Sequence, residues 1–225
     1  MAILDRDIAA LCCGIYAYDG GPTVAWDYFD RGEDDGVCWA VKRVRDVNVI
    51  VFRGSTTLED WKRDAEAFAD PFDDDDIGPV HPGFNQGLLK VASEADAHGF
   101  LRNFIVTGHS LGAGRASIFT GYVTWNKKPP LSRVVFGEPR PGFQQLADVI
   151  KDVPGRSYRN GSGDGLHYDL VTSVPFSCWP ELYVHPTRLT DVTAPPAPDD
   201  MWGPFSWHHM QLYVSALTTV STSTP

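Results

Sequence analysis

The sequence predicts an α/β protein built on a mixed, mostly parallel central sheet flanked by helices, with antiparallel strands at its N-terminal end. Three observations predict it. Short apolar runs rich in β-branched residues recur at 47–52, 104–107 and 134–137, the pattern of buried strands. Stretches with helical spacing alternate with the later runs, which sets strands parallel and helices on the sheet faces. The first strand-like runs are joined only by short turns, which gives an antiparallel meander.

Taken in order, Leu4, Ile8, Leu11, Cys12 and Ile15 recur at helical spacing and form one face of a packed helix. Asp19-Gly20-Gly21-Pro22 is a turn, and 23–29 reads as a strand. A second turn, 31–36, leads to strands at 37–41 and 47–52, split by Arg45-Asp46. Leu58, Trp61, Ala65 and Phe68 lie on one face of a helix over 57–69. A Pro/Asp-rich loop carries Asp73 to Asp76, which lacks the Gly and Glu spacing of a calcium loop and reads as solvated. A helix over 85–97 precedes the strand at 104–107, and another, 111–125, follows it. Beyond these lie a strand at 134–137, a helix at 144–151, a strand at 156–159 and, after an irregular Pro/Trp-rich stretch, a helix over 207–217. Residues 1–217 form one domain and 218–225 a polar tail.

The chain has 225 residues and a net charge of −10, with no Lys/Arg-rich run. Nucleic acid and anionic membrane surfaces are poor candidates for partners on that ground, a neutral or cationic small molecule fits better, and a lipid interface stays open. No stretch is apolar for long enough to span a bilayer. Asp5, Arg6 and Asp7 give the apolar run 8–18 the wrong flank for a signal peptide, so the expectation is a protein that is cytoplasmic or otherwise unexported by its own signal. The four cysteines, 12, 13, 38 and 178, have neither metal-ligand spacing nor the arrangement of a disulfide framework. Metal and cofactor are expected to be absent.

The chemistry concentrates in Gly108-His109-Ser110-Leu111-Gly112, which sits between a predicted strand and a predicted helix. In that context G-x-S-x-G is a nucleophile elbow: the serine occupies a strained turn, and its neighbours two residues away must be nearly side-chain-free. A serine hydroxyl needs a base. In this setting an Asp or Glu and then a His are expected downstream, and the histidines available are His167, His185, His208 and His209.

Six short stretches then occur in register: Phe52-Arg53-Gly54-Ser55, His81-Pro82-Gly83-Phe84, the elbow, Phe136-Gly137-Glu138-Pro139-Arg140, Asp169 to Pro175, and His208-His209-Met210-Gln211-Leu212-Tyr213. In them the chain resembles the class 3 lipases, an α/β-hydrolase group. The resemblance implies Ser110 as nucleophile, Asp169 as triad acid with Asp164 as the alternative, and His208 as base. His208 is selected over His209 because Tyr213 lies five residues beyond it. It implies an oxyanion hole from the N–H groups of Ser55 and Leu111. Leu58 and Trp61 would belong to a lid, although a fixed helix packed on the core satisfies the same spacing. Phe84, His109 and Trp207 are further candidates for substrate or lid contacts. The implied reaction is hydrolysis of a small-molecule or lipid ester through an acyl-enzyme, by a lipase or esterase. The same triad also serves phospholipases, thioesterases and acyltransferases, and a non-catalytic binding protein is the reading from another class.

Overall fold

Two strands that are almost wholly apolar, β3 (Val47–Phe52) and β4 (Phe104–His109), lie side by side in parallel at the centre of the fold. The computed structural model describes residues 3–16, 24–34, 36–55, 74–162, 167–175, 183–196 and 203–222. Around the central pair, β1 (Tyr28–Asp30), β2 (Trp39–Val44), β5 (Ser132–Phe136), β6 (Gly155–Asn160) and β7 (Leu189–Val192) complete a seven-stranded sheet in which spatial order equals chain order. β1, β2 and β3 are antiparallel, and every later neighbour is parallel. The turn between β2 and β3 puts Arg45 at φ 60°, a hairpin geometry.

The two-residue period of the strands divides the core. Val49 and Val51 of β3 face one side with Ile105 and Phe136, under α1 (Asp5–Gly14) and α6 (Met210–Thr222). Ile50 and Phe52 face the other, with Val106 and Val135, under α2 (Pro82–Asn85), α3 (Leu88–Ala97), α4 (Leu111–Trp125) and α5 (Gln144–Ile150). α4 is buried from Leu111 through Val123 and has no solvent face along that stretch.

Several expected boundaries move. The helix expected over 85–97 is two, because Gly87 adopts φ +79° and starts α3 afresh after the single turn of α2. The strand expected from 23 contracts to Tyr28–Asp30, and that expected at 37–41 shifts to Trp39–Val44. α6 starts at Met210, after a 3-10 turn at Gly203–His208, and runs through Thr222 into the expected tail. β7 falls in the stretch expected to be irregular. It is an edge strand of mixed polarity held by β6 alone. Asp74, from the acidic loop, caps a turn by accepting from the N–H groups of Asp76 and Ile77. Cys12, Cys13 and Cys38 are buried free thiols, while Cys178 lies outside the described residues.

β5 begins two residues earlier than its apolar run because it includes Arg133, 1% exposed. Its guanidinium donates to Glu138 at 2.7 Å, and Glu138 is fully buried. The Glu138 carboxylate also accepts from Ser117 of α4 and, at 2.8 Å, from Ser157 of β6. One ion pair thereby fastens α4, β5 and β6 beneath the ends of the parallel strands. Removing one partner leaves a buried charge uncompensated, whereas replacing both with apolar groups of similar volume does not. Glu138→Ala is expected to cost about 3–5 kcal/mol in urea unfolding, and the double change Arg133→Met with Glu138→Leu is expected to recover most of that loss.

Candidate active site

β4 delivers His109 to the carboxyl edge of the sheet, and the chain reverses there into α4. Ser110 sits at the reversal with φ 61° and ψ −132°, a region that side chains with a Cβ rarely occupy. Such a residue costs on the order of 1–3 kcal/mol and persists because its surroundings over-determine it. Its N–H donates to the Phe136 carbonyl at 3.1 Å, and its own carbonyl starts α4 by accepting from Ala113 at 2.8 Å. The elbow glycines serve close packing: a Cβ on Gly108 would strike the backbone of Gly112, and one on Gly112 would strike the Phe52 carbonyl. Beside the serine, a Cβ on Gly54 would come within 2.8 Å of the Ser110 Cβ, so the end of β3 runs directly past the elbow.

On the far side of β5 stands a buried carboxylate. Asp169 is fully buried and is tied to the end of β6 by its N–H, which donates to the Asn160 carbonyl at 2.8 Å. Oδ1 accepts from the Val171 N–H at 3.0 Å and caps the 3-10 turn Leu170–Ser173. Oδ2 accepts from His208 Nδ1 at 2.6 Å and from the Tyr213 hydroxyl. Burial alone would raise this carboxyl's pKa, but the His208 imidazole and the Tyr213 hydroxyl outweigh it and hold the pKa below the ordinary value. With an ionised Asp169 as acceptor, Nδ1 of His208 carries the proton and Nε2 is the acceptor. Nε2 is buried and has no hydrogen-bond partner among the described residues. Gly137, at φ +56°, lies against the pair: a Cβ there would sit 2.7 Å from Asp169 Oδ2 and 2.8 Å from His208 Cε1.

The other sequence candidates separate. Ser55 follows Gly54 at the end of β3, and Leu111 opens α4, where its N–H has no intrahelical acceptor. His109 is interior among the described residues. It is 6% exposed, its ring stacks on His208 with centroids 4.5 Å apart, and both ring nitrogens are engaged. Phe84 is likewise interior, stacked on His81 at 4.1 Å and packed on Gly114. Trp207 is partly buried in the turn before His208, and its carbonyl accepts from Asn160. His209 follows the turn, but the ring that meets Asp169 is that of His208. Leu58, Trp61, the helix over 57–69 and Asp164 lie outside the described residues. Among the described residues no group of three metal-ligand side chains converges, and no helix is long and apolar enough to cross a membrane.

A family model described as "Lipase (class 3)" matches residues 49–178. The chain belongs to the class 3 lipase family. The match takes in Ser55, Ser110 and Asp169 and ends before His208, which is therefore placed by its hydrogen bond and not by the match. As a class 3 lipase it is similar to phospholipase A1-II 1 of Oryza sativa, 33% identical over 118 residues, 48% of this chain and 27% of that protein. The chain thus spans about a quarter of the length of the curated relatives it matches. Among solved structures it resembles the Rhizomucor miehei lipase propeptide complex, with a TM-score of 0.58, 20% identity and coverage of 85% of this chain and 70% of that one. The lipase from Rhizopus microsporus var. chinensis gives a TM-score of 0.60 at 16% identity, covering 93% and 83%. These likenesses make the fold that of the α/β-hydrolases.

Two residues around the site were absent from the sequence candidates. Asn160 donates to the carbonyls of Ala194 and Trp207 and accepts from the Ala194 N–H, so one amide fixes two loops behind the Asp169–His208 pair. Tyr16, at the end of α1, reaches His109 and Gly54 with a single hydroxyl. The available signal for Tyr16 was chemical: a tyrosine ending an apolar helix face needs a polar partner inside.

Burial lowers the pKa of His81 to about 4 and that of His109 to about 3, against 6.5 as the ordinary value. Both are depressed in the folded state, so the stability they contribute is complete above pH 6.5 and is lost as pH falls toward the folded values. Near pH 5 the unfolded chain holds about two more protons at these sites, a slope of roughly 2–3 kcal/mol per pH unit. Urea midpoints are expected to fall steeply from pH 6.5 to 4.5, and His81→Gln is expected to reduce that slope by about half.

Proposed function

We propose that this protein is a serine carboxylic-ester hydrolase working through an acyl-enzyme. The observation that carries the reading is the buried Asp169–His208 bond, which commits Nδ1 as a donor and leaves Nε2 as the basic nitrogen at the edge where the elbow presents Ser110. His208 takes the hydroxyl proton as Ser110 Oγ attacks the ester carbonyl, and Asp169 stabilises the imidazolium without being protonated itself. The oxyanion is met by the N–H groups of Leu111 and Ser55, the first reinforced by the partial positive charge at the start of α4. Protonated His208 gives its proton to the leaving alcohol. Water, activated in the same way, attacks the acyl-enzyme and frees the acid.

The substrate class is a lipid or small-molecule ester. Triacylglycerol is the first candidate, because family membership and the lipase neighbours point the same way. A glycerophospholipid is the second, favoured by the rice relative named as a phospholipase A1. The two separate in one assay, fatty-acid release from trioctanoin emulsion against release from the sn-1 position of a phosphatidylcholine.

A fluorophosphonate probe is expected to label the protein at Ser110. Ser110→Ala is expected to abolish labelling and reduce p-nitrophenyl ester turnover by at least about 10³-fold, with circular dichroism unchanged. Turnover that survives intact in that variant would sink the assignment.

A further inference from the structure

His109 stands behind the proposed base and has no role in the steps above, yet both of its nitrogens are committed. Nε2 lies 2.7 Å from the backbone carbonyl of His208, and a carbonyl can only accept, so Nε2 carries the proton. A neutral imidazole has one N–H, which makes Nδ1 an acceptor. Burial supports the neutral form, with a pKa of about 3. The partner of Nδ1, at 2.9 Å, is the Tyr16 hydroxyl, which must donate. The same hydroxyl oxygen accepts from the Gly54 N–H at 3.0 Å. Every direction in the chain is thereby fixed: Gly54 N–H to Tyr16, Tyr16 O–H to His109, His109 N–H to His208 C=O.

The two ends of that chain adjoin two separate parts of the proposed chemistry. Gly54 directly precedes Ser55, whose N–H is the oxyanion donor that does not come from α4. The His208 carbonyl belongs to the residue whose ring must face Ser110. We infer that Tyr16 is a positioning residue that ties the oxyanion strand end at Gly54–Ser55 to the backbone of His208 through His109. The inference rests on the hydrolase reading for its catalytic meaning, and on geometry alone for the linkage. Linked hydrogen bonds polarise one another in series, so removing the middle hydroxyl weakens both ends. Tyr16→Phe keeps the ring that packs edge-on against His109, with centroids 5.8 Å apart, and deletes only that hydroxyl.

The oxyanion exists only in the transition state, so misplacing its donor slows turnover and leaves substrate binding alone. Loss of a donor outright costs about 10²–10³ in rate, and a displaced donor is expected to cost about 10-fold. Tyr16→Phe is therefore expected to lower kcat on a p-nitrophenyl ester about 10-fold, with KM within about twofold. Affinity for an alkyl boronic acid, whose serine adduct is tetrahedral, is expected to fall by the same factor. Unchanged kcat and boronate affinity, or a loss carried entirely by KM, overturns the inference. 15N NMR of the uniformly labelled protein supplies a readout independent of activity. His109 is expected to be neutral and protonated on Nε2 at pH 5, and Tyr16→Phe is expected to shift both its Nδ1 and the Gly54 amide. The opposite tautomer, or resonances that do not move, overturns the linkage. If the wild-type protein cleaves no ester and resists fluorophosphonate, the hydrolase reading falls while the NMR arm still decides the linkage.

Discussion

The Asp169 carboxylate is fully buried, and the structure around it is arranged to make that burial tolerable. An ionised carboxylate removed from water without partners is among the costliest groups a fold can hold. Here its two oxygens receive an amide from its own turn, an imidazole from the turn before α6 and a hydroxyl from α6 itself. Tyr213 in turn accepts from the Asn160 N–H at 3.2 Å, at the end of β6. Each donor comes from a different piece of backbone, so all of those pieces must be docked before the charge is satisfied. The rest follows from that requirement. Gly137 must lack a side chain because the pair lies against it, and Asn160 must hold the Trp207 carbonyl because the next residue bears the imidazole.

Asp169 has two roles, turn cap and partner of the histidine. They are compatible, because a carboxylate has two oxygens and each takes one task. The Arg133–Glu138 pair is of a different kind. Its three donors to Glu138 lie beneath the strand ends and join elements without touching the elbow.

Strong local patterns carried much of the fold in the sequence. β3, β4, the elbow and α4 are legible because each has an uninterrupted pattern and a glycine at the required turn. β7 is not, because Leu-Thr-Asp-Val has no alternation and becomes a strand only through its pairing with β6. Arg133 looked like a boundary because a charge seldom lies inside a buried strand, and only its partner at 138 explains why it does. For the site, spacing and resemblance narrowed the list to Ser110, Asp169 and His208, and in the structure the last two share a hydrogen bond. His109 was a candidate for substrate or lid contacts, and in the structure it is buried with both ring nitrogens engaged. Tyr16 lies 93 positions from the histidine it bonds. No local pattern reports a contact at that separation.

Because the sheet is laid down in chain order, each new strand meets a neighbour that already exists, and the sheet can extend as the polypeptide leaves the ribosome. α6 is the exception, since it packs on α1 and so brings the last helix back to the first. Ser110 is therefore in place long before His208 can be. A chain cut before residue 208 keeps the residues of the elbow but lacks both side-chain donors to Asp169 Oδ2, the His208 imidazole and the Tyr213 hydroxyl. The closure of α6 on α1 therefore couples the first described helix to completion of the donor set around the Asp169 charge.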